Sequence, residues 1–392
     1  MGGTVIVSGA RTPIGKLSGA FASLTAMDLG GVAIAEALSR AGITGEQVDY
    51  VFMGQAIQAG QGQITARQAA LKGGVPMNVP STTINKVCLS GLNSIYLADL
   101  MINAGEADIV VAGGMESMTR APHLLDGARS GIRIGDATLV DSMMYDGLTC
   151  AIDNCAMGLS TENYAAGAIS RERQDELAAA SHQKAAAAIA AGRFEVEIAP
   201  VTIPQRKGDP KVISVDEGVR GETTTESLGG LRPAFTKDGT VTAGNASQIS
   251  DGGSAVVMMS KAKADELGVT PLGELVAYGQ VAGPDASLLT QPSRAIAQAL
   301  GKAGLSVSDL DIVELNEAFA AVGLASIDEL GLDASIVNVN GGAIALGHPL
   351  GMSGNRVAIT ALYELGRRGG GTAAVALCGG GGQGDAAILR TI

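Results

Sequence analysis

The sequence predicts an α/β protein built from a duplicated unit, and three observations carry that reading. Short apolar runs rich in β-branched residues alternate with helical segments through both ends of the 392-residue chain, the pattern of a sheet covered on both faces. Residues 107–114 (ADIVVAGG) are echoed by 372–379 (TAAVALCG), each run following a long helix that itself follows a glycine-bearing turn. From about Glu116 to Ala243 the texture turns irregular and richer in Gly, Met and polar residues, as in an insertion. The expected segments are an N-terminal half at 1–117 and 244–268, an inserted loop domain at 118–243, and a C-terminal half at 271–392.

In chain order, residues 5–7 start the first strand, and 26–41 form a helix closed by Gly42. A strand at 48–53 and a helix at 63–72 follow. Residues 81–87 read as a strand; from Ser90 onward Leu92, Ile95, Tyr96, Leu100 and Met101 recur at helical spacing until Gly105. Residues 108–112 are a buried strand. Inside the insertion one helix is clear, at 171–191, capped by Ser170 and stopped by Gly192. Strand 254–259 and helix 261–267 close the first half. Beyond Pro271 come strand 275–278, helix 293–303, strand 311–315, helix 317–330, strand 336–339, helix 354–367, and strands 373–377 and 386–389.

Composition narrows the function classes. The net charge of −12 disfavours nucleic acid and anionic membrane surfaces as partners. Four cysteines without a CxxC pair and only three histidines leave no metal site and no disulfide framework in view. The opening MGGTVIVSGARTPIG shows no secretory pattern, Ile6 breaks a myristoylation motif, and no run reaches membrane-span length, so a cytoplasmic protein with reduced thiols is expected. The excess of Arg206, Lys207, Lys211, Arg220, Arg232 and Lys237 over 206–237 suits a phosphate-bearing ligand or a solvated loop face.

Four reactive side chains fall just past the ends of expected strands: Cys88, Asn316, His348 and Cys378. Ligands of open α/β sheets bind there. Cys88 sits at the turn into a helix, whose unpaired N–H groups favour a thiolate; a buried structural cysteine is the other reading. A cysteine with a histidine makes a nucleophile, and a second cysteine is useful as a separate acid/base. An Asn side chain orients a water or donates to an oxyanion, although Asn316 also suits a cap for the next helix. Cys378 taken alone reads as a buried strand residue. His123 and His182 read as structural or surface residues, Cys150 and Cys155 as inert, and Met143, Met144 and Met157 as core or tunnel wall. The run 379–384 matches G-x-G-x-x-G, but no helix or acidic residue follows at the right distance; it reads as a hairpin turn with bare backbone N–H groups.

At this point the chain resembles the thiolases. The resemblance rests on NKVCLSG at Cys88, VVAGGMESM at Val110, TAGNAS at Thr242, NEAFA at Asn316, NGGAIALGHPLGMSG at Asn340 and CGGGGQG at Cys378. It spans nearly the whole chain and is nearest to the acetoacetyl-CoA branch. It implies a five-layered α-β-α-β-α sandwich of two duplicated halves with an inserted, coenzyme A-binding loop domain. It implies that Cys88 takes the acyl group. His348 would activate Cys88 and, with a water held by Asn316, stabilise an enolate-like oxyanion. Cys378 would remove the α-proton, and the N–H groups of Cys88 and Gly380 would form the second oxyanion hole. Arg220, Ser227, Ala243, Ala246 and Ser247, with Met157, Ala318 and Phe319, match substrate and coenzyme A contacts. It further implies no prosthetic group, with coenzyme A as substrate and product, and a homodimer or homotetramer.

One departure stands out: Ala156 precedes Met157-Gly158 where many short-chain members carry His. A broader 3-ketoacyl-CoA thiolase of fatty-acid β-oxidation therefore stays open beside an enzyme for acetyl-CoA and acetoacetyl-CoA. A ketoacyl synthase-like condensing enzyme would want a second histidine in place of Cys378. A non-catalytic acyl-CoA or lipid carrier would not need the intact four-residue set.

Overall fold

Residues 3–165 and 167–392 are described by a computed structural model; residues 1, 2 and 166 of the expected segments lie outside it. The apolar runs are strands: β1 (Thr4–Arg11), β2 (Tyr50–Gly54), β3 (Ser81–Ile84), β4 (Ile109–Ser117), β5 (Ser250–Ser260), β6 (Gly273–Ala282), β7 (Ile312–Leu315), β8 (Thr372–Gly379) and β9 (Gln383–Arg390). They join in the order β7-β8-β9-β6-β1-β5-β4-β2-β3. The seam is the short β1–β6 contact, Val5 opposite Glu274 and Ile6 opposite Gly273. Outward from it each half repeats one pattern, two antiparallel neighbours and then a parallel one. The duplication expected from the 107–114 and 372–379 echo is this arrangement, with β4 and β8 in corresponding places.

The main helices are α1 (Ala26–Ala41), α2 (Thr65–Lys72), α3 (Ser90–Asn103), α4 (Met157–Ala165), α5 (Arg171–Ala190), α6 (Gln291–Ala303), α7 (Ala320–Leu330) and α8 (Leu350–Arg367). Strand alternation explains the layering. Val111, Val257 and Met259 face α1 and α2 through Ile34, Leu38 and Ala69. Their neighbours Val110, Val256 and Met258 face the opposite way, onto Leu92, Ile95, Val357 and Ile359 of α3 and α8. Those two helices are covered from the far side by Val375, Leu377 and Leu389. The outer face of that half packs on Ile296 and Leu300 of α6. The result is the five-layered sandwich, and strands buried on both faces read as continuous apolar runs. Truncating Ile359 to Ala in the central layer would cost about 2–5 kcal/mol. At the α3–α8 crossing a side chain on Gly91 would lie 2.6 Å from the Gly351 carbonyl oxygen, so glycine lets the backbones meet.

Residues 118–249 leave the sheet after β4 and return at β5, carrying α4, α5 and short two-stranded ladders. Fully buried Arg11 of β1 holds this excursion to the sheet, with Glu197 at 2.6 Å and Asp216 at 2.7 Å. Helix α4 was not legible in the sequence: its stretch, MGLSTENYA, has no clear apolar stripe. No helix among the described residues is long and apolar enough to cross a membrane.

Four of the differences from the expected elements have a clear local cause. The strand expected at 81–87 stops at Ile84, because Val87 takes a left-handed φ of 50°. The strand expected at 336–339 is absent; Val337 makes one isolated bridge to Val313. Asn338 is left-handed there, and its amide bonds both the N–H and the carbonyl of Leu315, at 2.8 and 2.9 Å, taking the place of a ladder. The helix expected from 317 starts at Ala320, because the Glu317 carboxylate accepts from Ser181, Asn338 and the Ile344 N–H. The helix expected from 354 starts at Leu350, which brings His348 to its threshold.

Candidate active site

Cys88 lies on a tight turn between β3 and α3. Val87 N–H donates to Asn85 Oδ1 at 3.0 Å, Lys86 N–H donates to Ser90 Oγ at 2.8 Å, and Ser90 Oγ donates to the Val87 carbonyl at 2.6 Å. These bonds hold a β-branched residue in a left-handed conformation, a strain of about 1–3 kcal/mol that surrounding structure must over-determine. The turn aims the thiol away from the sheet and into a cavity of about 910 Å³.

Cys378 enters the same cavity from the other half, on β8 one residue before its hairpin turn. The glycine run is that turn: Gly379 pairs with Gln383 across β8 and β9, and Gly380 and Gly381 line the cavity. The rejection of a dinucleotide loop holds. His348 is the third group on the cavity wall, between Gly347 and Pro349. Met157, Ser247, Ala318 and Phe319 also line it.

Hydrogen-bond bookkeeping assigns the His348 tautomer. Ser353 Oγ gives its one proton to the Pro349 carbonyl at 2.9 Å, so it accepts from His348 Nδ1–H at 2.6 Å. Nε2 is then the bare nitrogen, and Asn316 Nδ2 donates to it at 3.3 Å. Asn316 is therefore not the cap of α7; Phe319 occupies that position. Its buried Oδ1 has no protein partner, an acceptor open to a water or ligand proton. Ser353, five residues past His348 on the first turn of α8, was missed by sequence reasoning, since a serine there reads as an ordinary helix-start residue.

The electrostatics correct one expectation. Burial pushes the Cys88 thiol up to about 12, and buried Glu116 nearby adds to the shift; the Cys88 backbone N–H opposes it without prevailing. At the helix start burial outweighs the backbone N–H, and Cys88 is held as the thiol. Burial, with Arg356 in support, holds His348 down at about 3. Burial and the neighbouring Cys88 raise Cys378 as well. The site at rest is thus two thiols and a neutral imidazole whose Nε2 carries no proton.

Glu116 lies near Cys88, accepting from the Ala56, Ile57 and Gly351 N–H groups at 2.9, 3.2 and 2.9 Å. It joins the end of β4 to the start of α8 and so supports the His348 loop. Burial raises it to about 7.

The remaining expected contacts divide. Ser247 N–H donates to the Ala318 carbonyl at 3.0 Å, and Ala246 bridges Phe319, beside the cavity mouth. Ala243, Arg220 and Ser227 are exposed on the insertion side and line no part of the cavity. Ser227 closes a capping box with Thr224. The backbone N–H of Arg220 donates to His182 Nδ1 at 3.2 Å, so buried His182 is structural. Arg206, Lys207, Lys211, Arg232 and Lys237 line no part of the cavity either. Cys150, expected to be inert, does line it. No cluster of metal-ligating residues occurs among the described residues.

Two family descriptions match the chain: thiolase, N-terminal domain, over residues 4–262, and thiolase, C-terminal domain, over 269–391. A probable acetyl-CoA acetyltransferase of Mycolicibacterium smegmatis is 57% identical over 387 residues, covering 98% of this chain and 100% of that protein. The crystal structure of human mitochondrial 3-ketoacyl-CoA thiolase superposes with a TM-score of 0.96 at 42% identity, covering 100% of this chain and 99% of that one. The Bacillus anthracis acetyl-CoA acetyltransferase gives a TM-score of 0.97 at 40% identity, with the same coverage.

Proposed function

The chain belongs to the thiolase family, and we propose that it is an acyl-CoA C-acyltransferase joining two acetyl-CoA into acetoacetyl-CoA and free coenzyme A, reversibly. One observation carries the reading: Cys88, His348 and Cys378, distant in sequence, line one cavity, and Asn316 bonds the free nitrogen of His348.

The steps follow from the resting protonation states. Cys88 Sγ attacks the thioester carbonyl of the first acyl-CoA while its proton passes to His348 Nε2. The N–H groups of Cys88 and Gly380 receive the developing oxyanion. Coenzyme A leaves as the thiol, taking the proton back from His348, and the acyl group stays on Cys88. Cys378 first passes its own proton to His348 Nε2, and the second acyl-CoA then loses an α-proton to the Cys378 thiolate, with its enolate oxygen facing protonated His348 and a water on Asn316. The carbanion attacks acyl-Cys88, a C–C bond forms, the C–S bond breaks, and His348 gives its proton to the Cys88 thiolate, which restores two thiols and a neutral imidazole. Preorganised donors at a developing oxyanion are each worth about 10²–10³ in rate.

Arg220, Ser227, Ala243, Ala246 and Ser247 are assigned to coenzyme A, and Met157, Ala318 and Phe319 to the acyl wall; the cavity positions of Ser247, Met157, Ala318 and Phe319 support this. No prosthetic group takes part. The segments 1–117 with 244–268, 118–243 and 271–392 serve as two catalytic halves and a coenzyme A-binding insertion. The working form is a cytoplasmic homodimer or homotetramer, which light scattering on the purified protein tests directly.

A second reading, a 3-ketoacyl-CoA thiolase of broader chain length, is favoured by the cavity of about 910 Å³ and by Ala156. The deciding experiment is thiolysis of 3-ketoacyl-CoA substrates of increasing length by free coenzyme A. A rate that peaks at acetoacetyl-CoA supports the first reading, and one that rises with length supports the second. No thiolysis at any length would sink both.

A further inference from the structure

Lys86 lies two residues before Cys88, and Asp385 seven after Cys378. Lys86 Nζ reaches both carboxylate oxygens of Asp385, at 2.7 and 2.8 Å. The Asp385 side chain is 0% exposed and that of Lys86 21%. Tyr278 OH donates to Asp385 Oδ2 at 2.9 Å, and the Tyr278 ring stacks on Tyr96 of α3 at 4.3 Å and 10°. One carboxylate therefore gathers the Cys88 turn, β9, β6 and, through the ring stack, α3.

Its place in the ladder matters. Asp385 is opposite Leu377, and the next pair outward is Cys378 with Gly384. The two cysteine-bearing segments also touch directly: a side chain on Gly379 would lie 2.5 Å from Leu89 Cγ, and one on Gly380 3.5 Å from Val87 Cγ2. A buried ion pair is weak evidence for stability, because desolvation offsets most of its attraction. It is better evidence for register, since it is satisfied in one geometry only.

We infer that Lys86, Asp385 and Tyr278 form a clamp that fixes the separation of the Cys88 and Cys378 sulfurs. All three act as positioning residues. Lys86 holds the left-handed Val87 turn against the hairpin, Asp385 anchors it to the strand opposite Cys378, and Tyr278 orients the carboxylate. The first half-reaction needs Cys88 alone, whereas the second needs both sulfurs in reach of one α-carbon. A slackened clamp therefore slows condensation far more than acyl loading. This rests on the assignment of Cys88 and Cys378 proposed above.

The test uses the full-length protein as Lys86→Met, Asp385→Asn, the double variant, Lys86→Arg and the milder Tyr278→Phe. Acyl loading on Cys88 is followed by intact mass with acetyl-CoA, and condensation by kcat. A misplacement on the order of 1 Å costs about 10²-fold in rate, so kcat should fall about 10–100-fold in either single charge variant. Loading and KM should stay within about 3-fold, and the double variant should be no worse than the worse single one, since a broken pair is lost once. Lys86→Arg should recover most of the rate, and Tyr278→Phe should show the same split at smaller size if the charge variants fail to fold. A second readout, cross-linking of the two thiols by dibromobimane, needs no turnover. Its yield should be high in the wild type and low in Lys86→Met. Loss of loading in step with condensation, additive losses in the double variant, or unchanged cross-linking would overturn the clamp. A wild type that cross-links but turns over no acyl-CoA would instead overturn the proposed function.

Discussion

The two halves of the sheet share one topology and carry unequal chemical loads. In the C-terminal half three positions bear reactive groups: Asn316 after β7, Cys378 at the end of β8, and His348 in the turn before α8. The corresponding places in the N-terminal half are the end of β2, the end of β4 and the turn before α3, and only the last is reactive, through Cys88. Glycines and Glu116 occupy the others; Glu116 uses its carboxylate to hold three backbone N–H groups. Cys88 and His348 are thus counterparts under the duplication, each at the threshold of one of the paired central helices. The lesson is that the duplication supplies the meeting point of strand ends and helix starts, while single residues decide which half carries the proposed nucleophile and which the proposed proton carriers.

The sharpest way to break that division is to remove one group from each half. Cys88→Ala should lower thiolysis of acetoacetyl-CoA by about 10⁴-fold or more, since covalent catalysis has no substitute there, with an unchanged circular-dichroism spectrum. Substantial residual activity would remove the nucleophile from the N-terminal half. Cys378→Ala should cost about 10²–10⁴ in condensation, the size of a lost general acid/base, yet still become acylated at Cys88 by mass. Equal loss of acylation would show that the halves do not divide the work.

A third measurement tests which force sets the protonation of Cys88. With the thiol raised to about 12 by burial, its alkylation by iodoacetamide in the free protein should rise about tenfold per pH unit from pH 6 to 9. A plateau beginning near pH 7 would mean a thiolate held by the helix start and His348, and the burial argument would fail.

Much of this was legible before any coordinates. The apolar runs gave all but one of the strands expected from them, Gly42 and Gly105 the helix ends, and the residue types of Cys88, Asn316, His348 and Cys378 the groups that meet at the cavity, because periodicity and punctuation are local properties of the chain. What stayed hidden depends on partners far away. Asn338 ends a strand by bonding Leu315 through its side chain, Glu317 delays a helix by serving Ser181 and Ile344, and Ser353 settles a tautomer through a carbonyl one turn back. The helix-start argument for a Cys88 thiolate failed for the same reason: burial is a tertiary quantity, and it outweighs a terminal dipole.

The smallest expected effect probes the proton-managing half through stability alone. His348 titrates at about 3 when folded and at about 6.5 when unfolded. Above pH 6.5 both states are neutral and the residue contributes nothing. Below it the unfolded chain binds a proton that the folded protein refuses, so stability falls by about 1.4 kcal/mol per pH unit down to pH 3. Glu116, raised to about 7, and Glu314, raised to about 8, act with the opposite sign and stabilise the fold as pH drops through their range. The wild-type curve alone is therefore uninformative, and the difference from His348→Asn isolates the histidine. Losing the Ser353 contact lowers the variant's melting temperature by a pH-independent amount. Between pH 7.5 and 5 the wild type also loses stability through His348, so the total deficit of the variant should shrink, by about 2 kcal/mol at pH 5, or a few degrees for a chain of this length. A deficit that stays constant across that interval would mean that folded His348 titrates near its ordinary 6.5, and one that grows would mean that it already carries its proton near neutrality. The C-terminal half would then hold a charge at rest, and the contrast between the two halves would need a different origin.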